Sequence, residues 1–174
     1  MKKSILIFSL MAMLASPAFA KMDTPIRAGV DFALPYSLLV DGNSNTNRMN
    51  FNIGVDGRYQ FTENWNAGFR FSFDVEAHNG LTRQVGLAPG TQWHWMPNER
   101  FNPYFRFDLP ILFRDQQDIG LGGGAGVVWN LGDAIGVDNM TVRYDFALNY
   151  YVGVGSAVDL LALDLFKIGF DYKF

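Results

Sequence analysis

The chain has 174 residues, enough for one domain with a substantial core. Hydrophobic residues make up 49%, which excludes a disordered chain, and 16% aromatics beside 18 glycines favour strands and membrane interfaces over helices. A net charge of −3 offers no footprint for nucleic acid, and the absence of cysteine excludes a disulfide scaffold, a thiolate metal site, a cysteine nucleophile and a lipidated N-terminal cysteine.

The first predicted element is a leader over residues 1–20. Lys2 and Lys3 give it a charged start, Ile5 to Leu14 an apolar run, and Ala18-Phe19-Ala20 a small-x-small cleavage pattern. The run is about ten residues, well short of the roughly 20 that a spanning helix needs. The reading is a cleaved secretory signal peptide, with residues 21–174 forming one mature domain that starts at Lys21.

From there the dominant signal is strict alternation. In Met49 to Tyr59, Phe51, Ile53 and Val55 share one face while Asn50, Asn52 and Asp56 share the other. Trp65 to Glu76 and Met140 to Tyr150 repeat the pattern. Side chains alternate across a strand, so each segment has one apolar and one polar face. Eight strands are expected, near 25–38, 48–60, 65–76, 81–95, 102–113, 119–131, 140–152 and 159–174, separated by short turn-rich segments such as Asp41-Gly42-Asn43-Ser44 and Asp138-Asn139. The fourth contains Ala88-Pro89-Gly90, which predicts a bulge or a turn, because proline cannot donate to a ladder. The eighth begins in Val158 to Leu163, which fits helix as well as strand.

The polar faces carry Gly, Asn, Ser, Arg and Asp rather than many lysines and glutamates. Six cations sit near an anion at even spacing: Arg27 and Asp31, Asp56 and Arg58, Arg70 and Asp74, Arg106 and Asp108, Arg143 and Asp145, Lys167 and Asp171. Even spacing holds both charges on one face, and a confined interior needs such balance because an unpaired buried charge is very costly. Aromatics collect at one end. If strands alternate in direction, Tyr59, Trp65, Trp93, Trp95 and Trp129 share a rim, the pattern of an interfacial girdle.

The chain ends Lys167-Ile-Gly-Phe-Asp-Tyr-Lys-Phe174. Lys167, Gly169, Tyr172 and Phe174 resemble the C-terminal assembly signal of outer-membrane barrels. With the leader and eight strands, the whole mature chain resembles the small OmpA/OmpX-type barrels of Gram-negative bacteria. The resemblance implies an all-β, eight-stranded antiparallel up-and-down transmembrane barrel with a side-chain-filled lumen. It also implies integral location in the outer membrane, and membrane lipid and the barrel assembly machinery as partners. Outer loops of such barrels are usually long; here both loop sets are short, which weakens an adhesin reading.

Closing the barrel pairs the first strand with the last. Arg27 opposite Asp171 and Asp31 opposite Lys167 would share one register. Gly120, Gly122, Gly124 and Gly126 face inward, and their missing side chains are expected to give the arginines of 106–108 and 143–145 room to reach across; Gly123 faces outward without explanation. The glycine run is no nucleotide loop, since no G-x-x-x-x-G-K-[ST] is present.

The chain has two histidines, His78 and His94. His78 sits in an outer loop near Glu76 and Ser72 but has no serine two positions away in the pattern of the lipid deacylases, His94 sits between Trp93 and Trp95 at the periplasmic rim, and together they make a poor metal site, so no enzyme, metal or cofactor is expected. The functional reading is a structural or interaction barrel of the cell envelope without an open pore. The alternatives are a transporter of small apolar compounds, because Leu161, Leu163 and Leu165 would face inward if the last strand keeps register, and, less strongly, a lipid-modifying enzyme.

Overall fold

The computed structural model describes residues 26–41, 44–76, 82–113, 117–132, 136–137, 139–153 and 159–174. The expected leader and His78 lie outside the described residues. Nine strands are present among them: β1 (Ile26–Asp41), β2 (Ser44–Gln60), β3 (Trp65–Glu76), β4 (Thr82–His94), β5 (Phe101–Asp108), β6 (Ile111–Phe113), β7 (Gln117–Asn130), β8 (Met140–Gly153) and β9 (Asp159–Lys173). β5 and β6 are two pieces of one stave, both laid between β4 and β7. Neighbours in sequence pair antiparallel, and β1 pairs with β9, so eight staves close into an all-antiparallel barrel.

Alternation fixes which face meets what. On β5 exposed and buried residues alternate along the whole strand. Mid-strand outward positions are apolar: Val30 and Phe32, Ile53 and Val55, Phe69 to Phe73, Phe105 and Phe107, Phe146 and Leu148, Ile168 and Phe170 are all exposed. The buried apolar set is small, namely Ala33, Tyr104, Leu112, Val128, Ala147, Tyr151 and Ala162, and the buried polar and charged set is several times larger. A soluble barrel has the opposite polarity, because apolar burial drives its folding.

Three expectations about the strands are corrected. No bulge or turn occurs at Pro89: the β3 ladder runs through it in register, with Arg70 opposite Ala88 and Phe69 opposite Pro89. The interruption falls on the other side of β4, between the Gly90–Asp108 and Leu87–Ile111 pairs. There the Pro89 carbonyl accepts from Leu109 N at 2.9 Å, while proline has no N–H to return.

The last stave is strand from Asp159 onward, but it does not keep one register. Pro35 faces Asp164 and Ala33 faces Lys167, so β9 has one extra residue at Leu165-Phe166 against both neighbours. Both residues face outward, at 41% and 60% exposed. The bulge reverses the parity upstream: Leu163 lies opposite Leu148 and Leu161 opposite Tyr150, on the outer face, and Ala162 is buried in their place. The inward leucines on which the transport alternative stood are therefore not inward.

The closing register also differs. Arg27 faces Lys173, Gly29 faces Asp171, Asp31 faces Gly169 and Ala33 faces Lys167. Glycine opposite a longer side chain explains the choice, since the Asp171 carboxylate fills the space that a side chain at Gly29 would take.

Candidate functional site

The lumen holds the protein's polar chemistry, and Arg143 is its hub. From β8 its guanidinium spans to Asp56 on β2 with two hydrogen bonds of 2.9 and 3.2 Å. It also meets Asp145 on its own strand at 3.0 Å, Asp171 on β9 at 3.3 Å and Asp31 on β1 at 3.5 Å. A planar guanidinium with five N–H donors suits such convergence. Asp56 also accepts from Arg58 Nε at 3.0 Å. Lys167 Nζ lies 3.7 Å from Asp31 and 4.0 Å from Asp145.

Towards the end opposite the described chain ends, the outer end, Arg70 donates to Asp31, with Nε to Oδ2 at 2.8 Å, and to Asn52, which in turn donates to Asp74. Across the lumen Arg106 donates to Asp108 at 2.6 Å and lies 3.9 Å from Asp145, which also accepts from the Tyr104 hydroxyl. All these charged groups are nearly fully buried.

Of the six sequence pairs, Asp56–Arg58, Arg106–Asp108 and Arg143–Asp145 lie together within their strands. The other three do not. Arg27 donates to Gln60 (3.0 Å) instead of Asp31; Arg70 turns to Asp31 instead of Asp74; Lys167 turns to Asp31 and Asp145 while Arg143 takes Asp171. Barrel curvature brings different staves closer than neighbours two apart on one stave, and linear spacing does not contain that.

The glycine expectation is corrected as well. Space beside Gly126 is taken by the Tyr104 ring, beside Gly122 by Asn149 and beside Gly120 by Tyr151, none of them an arginine. The glycines that do admit arginines are on other staves: Arg70 lies against Gly54, and Arg143 lies 2.9 Å from where a Cβ at Gly169 would stand. Gly123 faces outward, where a side chain would make only an ordinary contact with the Arg106 carbonyl, and nothing in the structure explains the glycine.

Towards the end that holds both described chain ends, the inner end, amides join the cations Arg27, Arg58 and Lys173. Asn66 Nδ2 lies 2.8 Å from His94 Nε2 and donates to Gln92 at 3.2 Å, and the buried His94 ring packs on Tyr104 at 5.2 Å. Asn52, Gln60, Asn66, Gln92 and Tyr104 are lumen residues that charge pairing alone did not single out; inward parity on their strands is the signal that finds them. Outside, Trp65 faces Trp93, Trp129 stacks on Phe101 at 5.7 Å, and Tyr59 and Trp95 are exposed at the same end. Of the C-terminal motif, Lys167 and Gly169 face in, while Tyr172 and Phe174 face out with ring centroids 4.9 Å apart.

No protein-family model and no curated protein matches the sequence. Solved structures match in shape. Neisserial surface protein A is 13% identical with a TM-score of 0.56, the match covering 86% of this chain and 97% of that one. The outer membrane enzyme PagL is 10% identical with a TM-score of 0.52, covering 85% and 99%. Ail of Yersinia pestis is 18% identical with a TM-score of 0.48, covering 88% and 100%. At these identities the likeness to the first two shows the fold alone, a small antiparallel β-barrel.

Proposed function

We propose that this chain is an integral outer-membrane protein with a filled lumen, serving as a structural and interaction barrel of the cell envelope. One observation carries the reading: charged residues are buried around Arg143 while apolar side chains, phenylalanine on most staves and Val85, Ile119 and Leu121 on β4 and β7, are exposed around the whole wall. In water that arrangement would expose a large apolar surface, whereas in a bilayer it buries that surface in lipid. The proposed partners are membrane lipid and, through Tyr172 and Phe174, the barrel assembly machinery. Fractionation of cells and planar-bilayer recording test the proposal. Recovery with the outer membrane and no stepwise conductance is expected; a soluble protein or a steady open channel would contradict it.

The fold accommodates catalysis, as PagL demonstrates for its own chain. Here the described histidine, His94, is engaged by Asn66 at the inner end, whereas Ser72 lines a small cavity of about 50 Å³ with Asp74 and Asp164 in the outer half. The two are not within reach of each other, which favours the non-catalytic reading. Transport of apolar compounds through the wall retains one observation, the Pro89 and Pro110 break beside β4. Unaltered uptake of such compounds by liposomes containing the protein would remove it.

A further inference from the structure

At the inner mouth, strand ends carry like charges side by side. Arg27 lies directly opposite Arg58 on one seam and opposite Lys173 on the other. Like charges so placed repel. Arg58 is drawn off to Asp56, and Asp171 is held by Arg143. That leaves Arg27, only 7% exposed, donating from Nη2 to the neutral amide oxygen of Gln60, with Nε lacking an acceptor among the described residues. The carboxylate that acts on Arg27 is Asp171, which Arg143 shares, so this guanidinium with a neutral hydrogen-bond partner is only partly compensated.

Arg27 and Lys173 border a cavity of about 210 Å³ inside the mouth, under the 95–100 turn, with Asn102, Asn130 and Thr141 also lining it. Thr141 is fully buried, and its hydroxyl has no hydrogen-bond partner among the described residues. The lining carboxylate is Glu99, which sits exposed on the turn. We propose that this cavity binds a small soluble oxyanion, a phosphate or carboxylate group, held by the Arg27 guanidinium, the Lys173 ammonium and the Thr141 hydroxyl. All three present N–H or O–H donors, and two carry the charge that makes hydrogen bonds to an oxyanion strong. The volume is several times the ~30 Å³ share of one water and below the ~300 Å³ where drug-sized pockets begin. The cavity lies on the lumen side of the wall, so the ion enters from the inner face and is not a lipid headgroup.

The test titrates the refolded mature chain in zwitterionic detergent with inorganic phosphate, then with acetate, by calorimetry at constant ionic strength. Saturable one-to-one binding of at least one of the two is expected. Lys173→Gln should weaken it by about tenfold or more, the weight of one charge-assisted hydrogen bond, and Thr141→Val by a smaller factor. Glu99→Gln, on an exposed turn, should tighten it. Heats that do not saturate would overturn the site, as would binding unchanged in both Lys173→Gln and Glu99→Gln. Binding that arises only when phosphatidylglycerol is added would assign the cations to a headgroup and overturn it too.

Discussion

The two arcs of the barrel wall are built differently. From β8 through β9, β1 and β2 to β3 the ladders are long, and this arc supplies Asp31, Asp56, Arg70, Arg143, Asp145, Lys167 and Asp171. From β4 to β7 the wall is interrupted at Pro89 and Pro110, pairs β4 to β5 over Gly90 to His94 only, and supplies the Arg106–Asp108 pair. The second arc is tied to the first across the lumen through Asp145, which meets both Arg106 and Tyr104. Ionic cross-links therefore gather on the arc with the longer ladders, which is bulged once at Leu165-Phe166, and among the described residues the ionic tie of the other arc to it runs through Asp145.

Breaking the hub should separate the arcs most strongly. Arg143→Leu leaves Asp31, Asp56, Asp145 and Asp171 short of a partner, and loss of a buried pair is worth about 3–5 kcal/mol; denaturant unfolding in lipid should show a loss at least that large, and Arg106→Leu a smaller one. Phe71→Arg, on the exposed apolar face of the first arc, should lose about 2–4 kcal/mol in the same assay if that face meets lipid as proposed. Hydrogen exchange should open β4 to β6 before β8 and β9, since interrupted ladders unfold locally first. Pro89→Val restores an N–H opposite the Leu109 carbonyl and should stabilise by about 1 kcal/mol while slowing exchange on that arc. Ser72→Ala, lumen-facing and half-buried, should change stability by less than about 0.5 kcal/mol. Deleting Phe174 tests the assembly signal separately: the folded fraction in cells should fall while refolding into detergent continues.

The staves, their closure and the face of nearly every strand residue were legible from alternation, because a period of two leaves no freedom once one face is apolar. The bulge at Leu165-Phe166 was not, since an apolar doublet reads as a continued strand until Pro35 and Asp164 are seen opposite each other. Charge balance was legible too, and the wiring was not. Arg70 sits two turns of alternation from Asp74 yet reaches Asp31, because glycine at position 54 opens the way and the wall curves towards β1. The inner cavity is not legible in the sequence, because its cations, Arg27 and Lys173, meet only through the closing register.

The central claim is that the charges inside the barrel are paired rather than solvated, and Arg70→Leu measures it most directly. Unfolding of the variant in lipid should show a loss of about 3–5 kcal/mol, and adding Asp31→Leu should recover part of it, because the stranded carboxylate is then gone. A near-neutral Arg70→Leu, with no recovery from the second change, would show that these charges meet water and that the lumen is a wet channel.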